Sequence, residues 1–270
     1  MQGVNENRYL DLVRSIVEES KLTIDQYHYN TVDKLYREGH YYAGAAPGLS
    51  FVSIPAYLLL DIGVRFMPMR IFSQYDIAYY IREQMGGSKA PDTFVAQYPF
   101  GEFVLAHILV TACVNSLLAA GIVLLIDLVL SWFSISAWQR FVVHAVYAFG
   151  TITFFYATCL YAHVSSTFWV FLAFVLLFAM WREQRTILGC AAAGFALGMG
   201  ALTEYTVAPV ITVIGIYALL TLKQRQNLVI FVLAGMISVG GLMLYHYVCL
   251  GGPFTTPYSA SFPMNPDGDL

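Results

Sequence analysis

The chain has 270 residues, of which 58% are hydrophobic and only 11% are Asp, Glu, Lys or Arg, against roughly 25% charged in a soluble domain. Mean hydropathy is +0.63. A formal net charge of −3 advertises no basic surface for nucleic acid, and the composition excludes a disordered chain and points to an integral membrane protein.

Charge is uneven along the chain: 20 of the 31 charged residues lie in residues 1–100 and 11 in residues 101–270. Within the first part, residues 8–19 read as a helix. Tyr9, Leu12, Val13, Ile16 and Val17 recur at spacings of three and four, which gives one apolar face. Arg8, Asp11, Arg14, Glu18 and Glu19 fall largely elsewhere, and Asn5 or Asn7 supplies the N-cap. Such a helix suits the plane of a membrane interface. Residues 39–48 read as a polar, aromatic loop. The run from Leu49 to Leu60 contains Pro55 and is followed by Asp61 and Arg65; over residues 49–67 it predicts a broken span or a segment that enters without crossing. Residues 69–84 read as a second interfacial helix, with Tyr75, Tyr79 and Tyr80 at headgroup level.

Beyond residue 101, six apolar segments approach the roughly 20 residues a membrane helix needs: about 103–130, 141–162, 164–181, 186–202, 205–222 and 228–250. Gly194-Phe195-Ala196-Leu197-Gly198-Met199-Gly200 suits close helix packing in lipid. Arg140, Arg182, Arg185, Lys223 and Arg225 are confined to alternate linkers. Positive residues mark the cytoplasmic side, so His163, Glu204 and residues 251–270 are expected on the other face. The expected fold is all-α. It has a first outer loop with juxtamembrane helices over 1–100, six transmembrane helices over 101–250, and the start of an outer loop over 251–270. Residues 1–48 hold no apolar run long enough for a leader, and the chain ends in a turn-like Asn265-Pro266-Asp267-Gly268; both features predict a fragment.

Cys113, Cys159, Cys190 and Cys249 each sit in an apolar run without C-x-x-C spacing and read as small buried hydrophobes. No zinc, hydrolase or phosphate-loop spacing is present. Three groups carry possible chemistry. In Asn5-Glu6-Asn7-Arg8, a helix N-terminus holds a carboxylate ionised, as a general base requires, and the guanidinium suits phosphate. Gly39-His40-Tyr41-Tyr42-Ala43-Gly44 offers hydrogen-bonding rings, with Asp25 and Asp33 upstream. Leu202-Thr203-Glu204-Tyr205 and His163 place polar groups at outward span ends. Asp127 reads as solvated at a cytoplasmic end, and His107, His144 and Asn115 as intramembrane polar groups bonded between helices.

In order and spacing, Asn5-Glu6-Asn7-Arg8-Tyr9, Ile24-Asp25, Asp33, Gly39-His40-Tyr41-Tyr42 and Pro47-Gly48 resemble the first outer loop of GT-C superfamily membrane glycosyltransferases. The closest branch is the protein O-mannosyltransferase and aminoarabinose transferase group, bacterial type. There a D-E-x-R-Y or N-E-x-R-Y element is followed by G-H-Y-Y-S-D-K-x-P-G. Gly150-Thr151, Tyr156, Tyr161-Ala162-His163, Leu202-Thr203-Glu204-Tyr205 and Gly252-Pro253-Phe254-Thr255-Thr256-Pro257-Tyr258 are similar to that branch as well. The resemblance implies a multi-pass protein of the cell (inner) membrane that takes a sugar from a polyprenyl-phosphate donor on the non-cytoplasmic face. It implies no firm cofactor and leaves a divalent metal undetermined. The family's first acid falls on Asn5, so Glu6 is the implied base, with Asn5 beside it. Arg8 falls near the donor phosphate, and Asp33, His40, Tyr41, Tyr42, His163, Glu204 and Tyr205 are implied donor or acceptor contacts. The family's D-K pair matches Gly44-Ala45, where a lysine is expected to be accommodated and to strengthen donor binding. A transporter or flippase, and a non-catalytic relative, stay open as alternatives.

Overall fold

In a computed structural model, residues 4–64, 100–182 and 186–259 are described. The expected helix at 69–84, Arg65, Arg185 and the tail from 260 lie outside the described residues. The side chain of Asn5 does too. The described chain is mostly helical and divides into two compact units, residues 1–114 with 246–270, and residues 115–245.

In the first unit, α1 (Val4–Glu19) begins earlier than the pattern predicts, so Asn7 lies inside it rather than capping it. Its apolar residues Tyr9, Leu10, Leu12 and Val13 are buried, and so are Asp11 and Arg14 on the supposed polar side. The helix is therefore enclosed by protein, packed on α2 (Gly48–Val64), and does not expose an apolar face to lipid. It ends at Ser20, whose φ of +56° lets the Lys21 amide reach the Ser15 carbonyl at 3.0 Å.

Residues 34–43, part of which read as loop, form an antiparallel hairpin: β1 (Lys34–Arg37) and β2 (His40–Ala43), with Arg37 opposite His40. The two-residue turn Glu38-Gly39 has φ of +53° and +88°, the doubly left-handed turn that matches strand twist. Helix α2 runs through Pro55 without a break. The unit also contains α3 (Phe100–Thr111).

A π-turn over Ala112–Ser116 leads to α4 (Leu117–Ser131). The expected span 141–162 is replaced by α5 (Ala137–Gly150) and the single turn α6 (Thr153–Ala157). The reason is local competition for the backbone. The Thr151 hydroxyl donates to the Tyr147 carbonyl at 2.8 Å and accepts from the Thr153 amide. The carbonyls freed beyond α6 are taken by Asn115, whose amide donates to those of Cys159 and Tyr161 at 2.5 and 2.8 Å.

Helices α7 (Ala162–Arg182), α8 (Ile187–Thr203), α9 (Ala208–Thr221) and α10 (Arg225–Leu250) follow. Val170, Ala173, Leu177, Ala193, Ala196, Ile214 and Phe231 form their shared core. Gly194 lies on the Phe231 carbonyl and Gly198 on that of Gly235, with no room for a Cβ at either. The glycine run thus brings two helix backbones together.

Among the described residues, three stretches are long and apolar enough to cross a membrane: Phe103–Ser131, Ala162–Arg182 and Arg225–Leu250. Gly48–Asp61, Ile187–Thr203 and Tyr205–Thr221 are apolar but shorter. Asp127 is not merely solvated, because Arg140 Nε donates to it at 3.0 Å. Cys190 and Cys249 are buried as expected, but Cys113 is exposed and Cys159 only half-buried.

Candidate functional site

The residues singled out in the sequence fall into two clusters, one in each unit. In the first unit, α1 carries Glu6 in its opening turn, where it is only 4% exposed. Two residues on, Arg8 pairs through Nη1 with Asp33, donates from Nη2 to the Tyr9 hydroxyl at 3.0 Å, and lies over the Tyr9 ring. Asp33 in turn accepts the Gly44 amide at its carbonyl, 3.0 Å away. A Cβ at residue 44 would collide with the Asp33 carboxylate, so glycine is what allows Asp33 to sit there. Ala45 is 4% exposed. A lysine at that position would have to push aside its neighbours, contrary to the expectation that the site accommodates one.

Asp25 fastens the second edge of the cluster. Its carboxylate accepts the Tyr41 amide at 2.7 Å and faces His40 Nδ1 at 2.8 Å. Partial burial pushes the Asp25 carboxyl up, but the Tyr41 amide, His40 and Thr23 together pull it below its ordinary value. Tyr41 stacks on His28, with ring centroids 3.9 Å apart and 4° between planes, and Lys34 Nζ lies over the same Tyr41 ring. Tyr42 points into the protein, and burial pushes its phenol up. His40 is the most open member of the set, with its side chain 54% exposed.

Several polar groups of this unit escape a reading of the sequence alone. Asp11 is fully buried and accepts from Asn30 Nδ2 at 2.9 Å, while Asn7 Nδ2 donates to the Asn30 carbonyl at 2.7 Å. Burial pushes the Asp11 carboxyl up to about 8 against the pull of Asn30, Arg14 and Lys34. Glu18 accepts the hydroxyls of Tyr27 and Tyr57 at 2.7 and 2.5 Å and Arg14 Nε at 3.1 Å. Burial raises its carboxyl, but Arg14 and the two tyrosines outweigh that and hold it below its usual range. The available signal was Asn7, Asp11 and Ser15 at i, i+4 and i+8, one stripe along α1.

In the second unit, Glu204 closes the C-terminal end of α8 in extended conformation. Its carboxylate meets His163 Nδ1 at 2.8 Å, the Ser166 hydroxyl at 2.8 Å and the Thr206 hydroxyl at 2.7 Å. His163 also packs against Tyr156 edge-on, at 4.7 Å, and lies parallel to Tyr161. Tyr205 opens a single 3₁₀ turn after Glu204. Among the described residues, no group of three or more His, Cys, Asp or Glu is placed to hold a metal ion.

No family model, no curated protein and no solved structure matches this chain.

Proposed function

We propose that the chain is an integral membrane glycosyltransferase that moves a sugar from a polyprenyl-phosphate donor to a lipid, glycan or protein acceptor on the non-cytoplasmic face. One observation carries this reading. Two motifs of the resemblance, about two dozen residues apart, meet in the first unit, Arg8 on Asp33, and Asp33 rests on the Gly44 backbone that follows Gly39-His40-Tyr41-Tyr42. Three long apolar helices support the membrane setting. Arg140, Arg182, Arg185, Lys223 and Arg225 all fall at or between the ends of alternate apolar segments of the sequence, which supports the choice of face and a multispan bundle.

The transfer is a direct displacement. The acceptor oxygen bonds to the anomeric carbon as the bond from that carbon to the phosphate oxygen breaks. Glu6 takes the acceptor proton, and the lipid phosphate leaves as an anion. Arg8 stabilises that anion by sharing its guanidinium between Asp33 and the phosphate, since Arg presents five donors in a fixed fork. His40 and Tyr41 border the sugar, and Tyr42 backs the strand that carries them.

A second reading, a relative that kept the fold without the chemistry, is favoured by one feature: the Asp33 carboxylate already neutralises Arg8, and Ala45 supplies no second cation. Full-length protein in proteoliposomes, supplied in turn with several polyprenyl-phosphate sugars and with nucleotide sugars, separates the two. Transfer from a lipid-linked sugar and none from a nucleotide sugar is the expected result. No transfer from any lipid-linked donor overturns the enzyme reading and leaves the second.

A further inference from the structure

The second unit holds two adjacent hollows. An open apolar groove of about 420 Å³ runs between α4, α5 and α6, walled by Ala120, Val123, Leu124, Ala148, Phe149 and Phe154. A smaller one of about 140 Å³ shares Tyr147 and Thr153 with it and reaches Tyr156, Thr167 and His163. Asn115 anchors the connecting segment by its bonds to the Cys159 and Tyr161 carbonyls, which fixes Tyr156, Tyr161 and His163 as a group.

The His163 ring is set by its other edge. Nδ1 faces the Glu204 carboxylate, which Ser166 and Thr206 hold from both sides. A neutral imidazole whose Nδ1–H donates a hydrogen bond to a carboxylate presents a lone pair at Nε2. His163 is 48% exposed at its side chain and lines the smaller hollow, so Nε2 is the nitrogen left to a ligand there. Among the described residues, no Lys or Arg lines either hollow, and the fixed charge beside His163 is the Glu204 carboxylate. That arrangement suits a neutral hydroxyl, which donates to Nε2. It disfavours a phosphate or carboxylate head, because like charges at close range repel. A groove with almost wholly apolar walls suits one hydrocarbon chain.

We propose that the second unit binds a neutral, hydroxyl-bearing, single-chain amphiphile, with its chain in the α4–α5–α6 groove and its hydroxyl on His163. It does not use the sugar-transfer mechanism, whose anionic donor is assigned to the first unit, and it gives His163 and Glu204, donor or acceptor contacts by the resemblance, to a neutral ligand instead.

The test uses full-length protein in phosphatidylcholine nanodiscs and a tetradecanol carrying a photoreactive diazirine near the chain end. Crosslinks are expected on α4, α5 or α6. Unlabelled tetradecanol should suppress them at a concentration about tenfold lower than tetradecane or tetradecyl phosphate, the worth of one hydrogen bond to the head. His163→Ala should raise the tetradecanol concentration about tenfold and leave tetradecane unchanged. Glu204→Gln removes the repelling charge and should narrow the gap between tetradecyl phosphate and tetradecanol. Ala120→Trp fills the groove and should abolish the crosslinks. Equal suppression by all three competitors, or best suppression by the phosphate, overturns the proposal. The competitor ranking needs only the wild-type chain, so poorly folding variants do not obscure it. Sugar transfer is not read in this experiment, and failure here leaves the first-unit proposal standing.

Discussion

Helices α1 and α8 are nearly equal in length, at 16 and 17 residues, and each buries much of its length, yet α1 buries charged side chains that have no counterpart in α8. Helix α1 buries Glu6, Asn7, Asp11, Arg14 and Ser15. Helix α8 buries Cys190, Ala193, Gly194, Ala196, Leu197, Gly198 and Gly200. In the first unit, position is fixed by hydrogen bonds, such as Asn30 to Asp11 and two tyrosines to Glu18. In the second it is fixed by backbone contact where side chains are missing. Bonded polar interiors hold reactive groups in set directions, and small-residue contacts hold helices together where lipid gives no hydrophobic drive. The two units thus differ in what each is fitted to do and in how each fails.

The largest effect is expected where the second unit has no slack. Gly194→Leu drives a side chain into the Phe231 carbonyl and should cost more than about 3 kcal/mol. Thermal unfolding in detergent checks it, and an unchanged midpoint would break the contrast between the units.

Asp11→Asn probes the first unit. A carboxyl raised from 3.8 to about 8 by burial keeps its proton when folded and loses it when unfolded. Wild-type stability therefore falls as pH rises between those values and is flat above them. The variant lacks that slope and keeps the bond from Asn30. It should be the more stable form by up to about 5 kcal/mol at pH 8 and nearly equal to wild type near pH 4, read from denaturation at the two pH values.

Glu18→Gln has the opposite sign. A carboxyl held below its ordinary value contributes stability that is present above the unfolded value of 4.5 and is lost as pH falls through the folded one. Because Glu18 is partly exposed, the loss at pH 7 should be about 1 kcal/mol, and it should vanish in acid.

The smallest effect sharpens the glycine half of the comparison. Gly215 in α9 has nothing within 4 Å of an added Cβ. Gly215→Ala should stabilise by about 0.5 kcal/mol through helix propensity, in the same assay that condemns Gly194→Leu.

Much of the chain beyond residue 101 was legible because long apolar runs have one meaning. The segments near 103–130, 164–181 and 228–250 match the three long apolar stretches of the structure. The segment 141–162 misled because hydropathy cannot register a threonine turning on its own helix, or Asn115 collecting carbonyls from a distant stretch. In the first unit, the hairpin was hidden by a Glu38-Gly39 turn that lacks the usual Asn-Gly signal. The polar stripe of α1 looked solvated because its partners, Asn30 and Tyr57, come from other segments. Motif order did flag Arg8 and Asp33, with Gly44 only as a departure from the family's pattern, but their mutual contact is a tertiary fact that periodicity does not encode.

In the proposed mechanism Glu6 of the first unit does chemistry, while Glu18, on the same helix, holds structure. Single-turnover transfer from a polyprenyl-phosphate sugar tests this with wild type, Glu6→Gln and Glu18→Gln side by side. The predicted result is a rate lower by roughly 10²–10⁴-fold for Glu6→Gln, the usual worth of a positioned base, at unchanged thermal stability. Glu18→Gln should lose stability but keep its rate within about threefold, since partly exposed structural charges contribute little elsewhere. A Glu6→Gln protein that transfers sugar at the wild-type rate would contradict the assignment of Glu6 as the base.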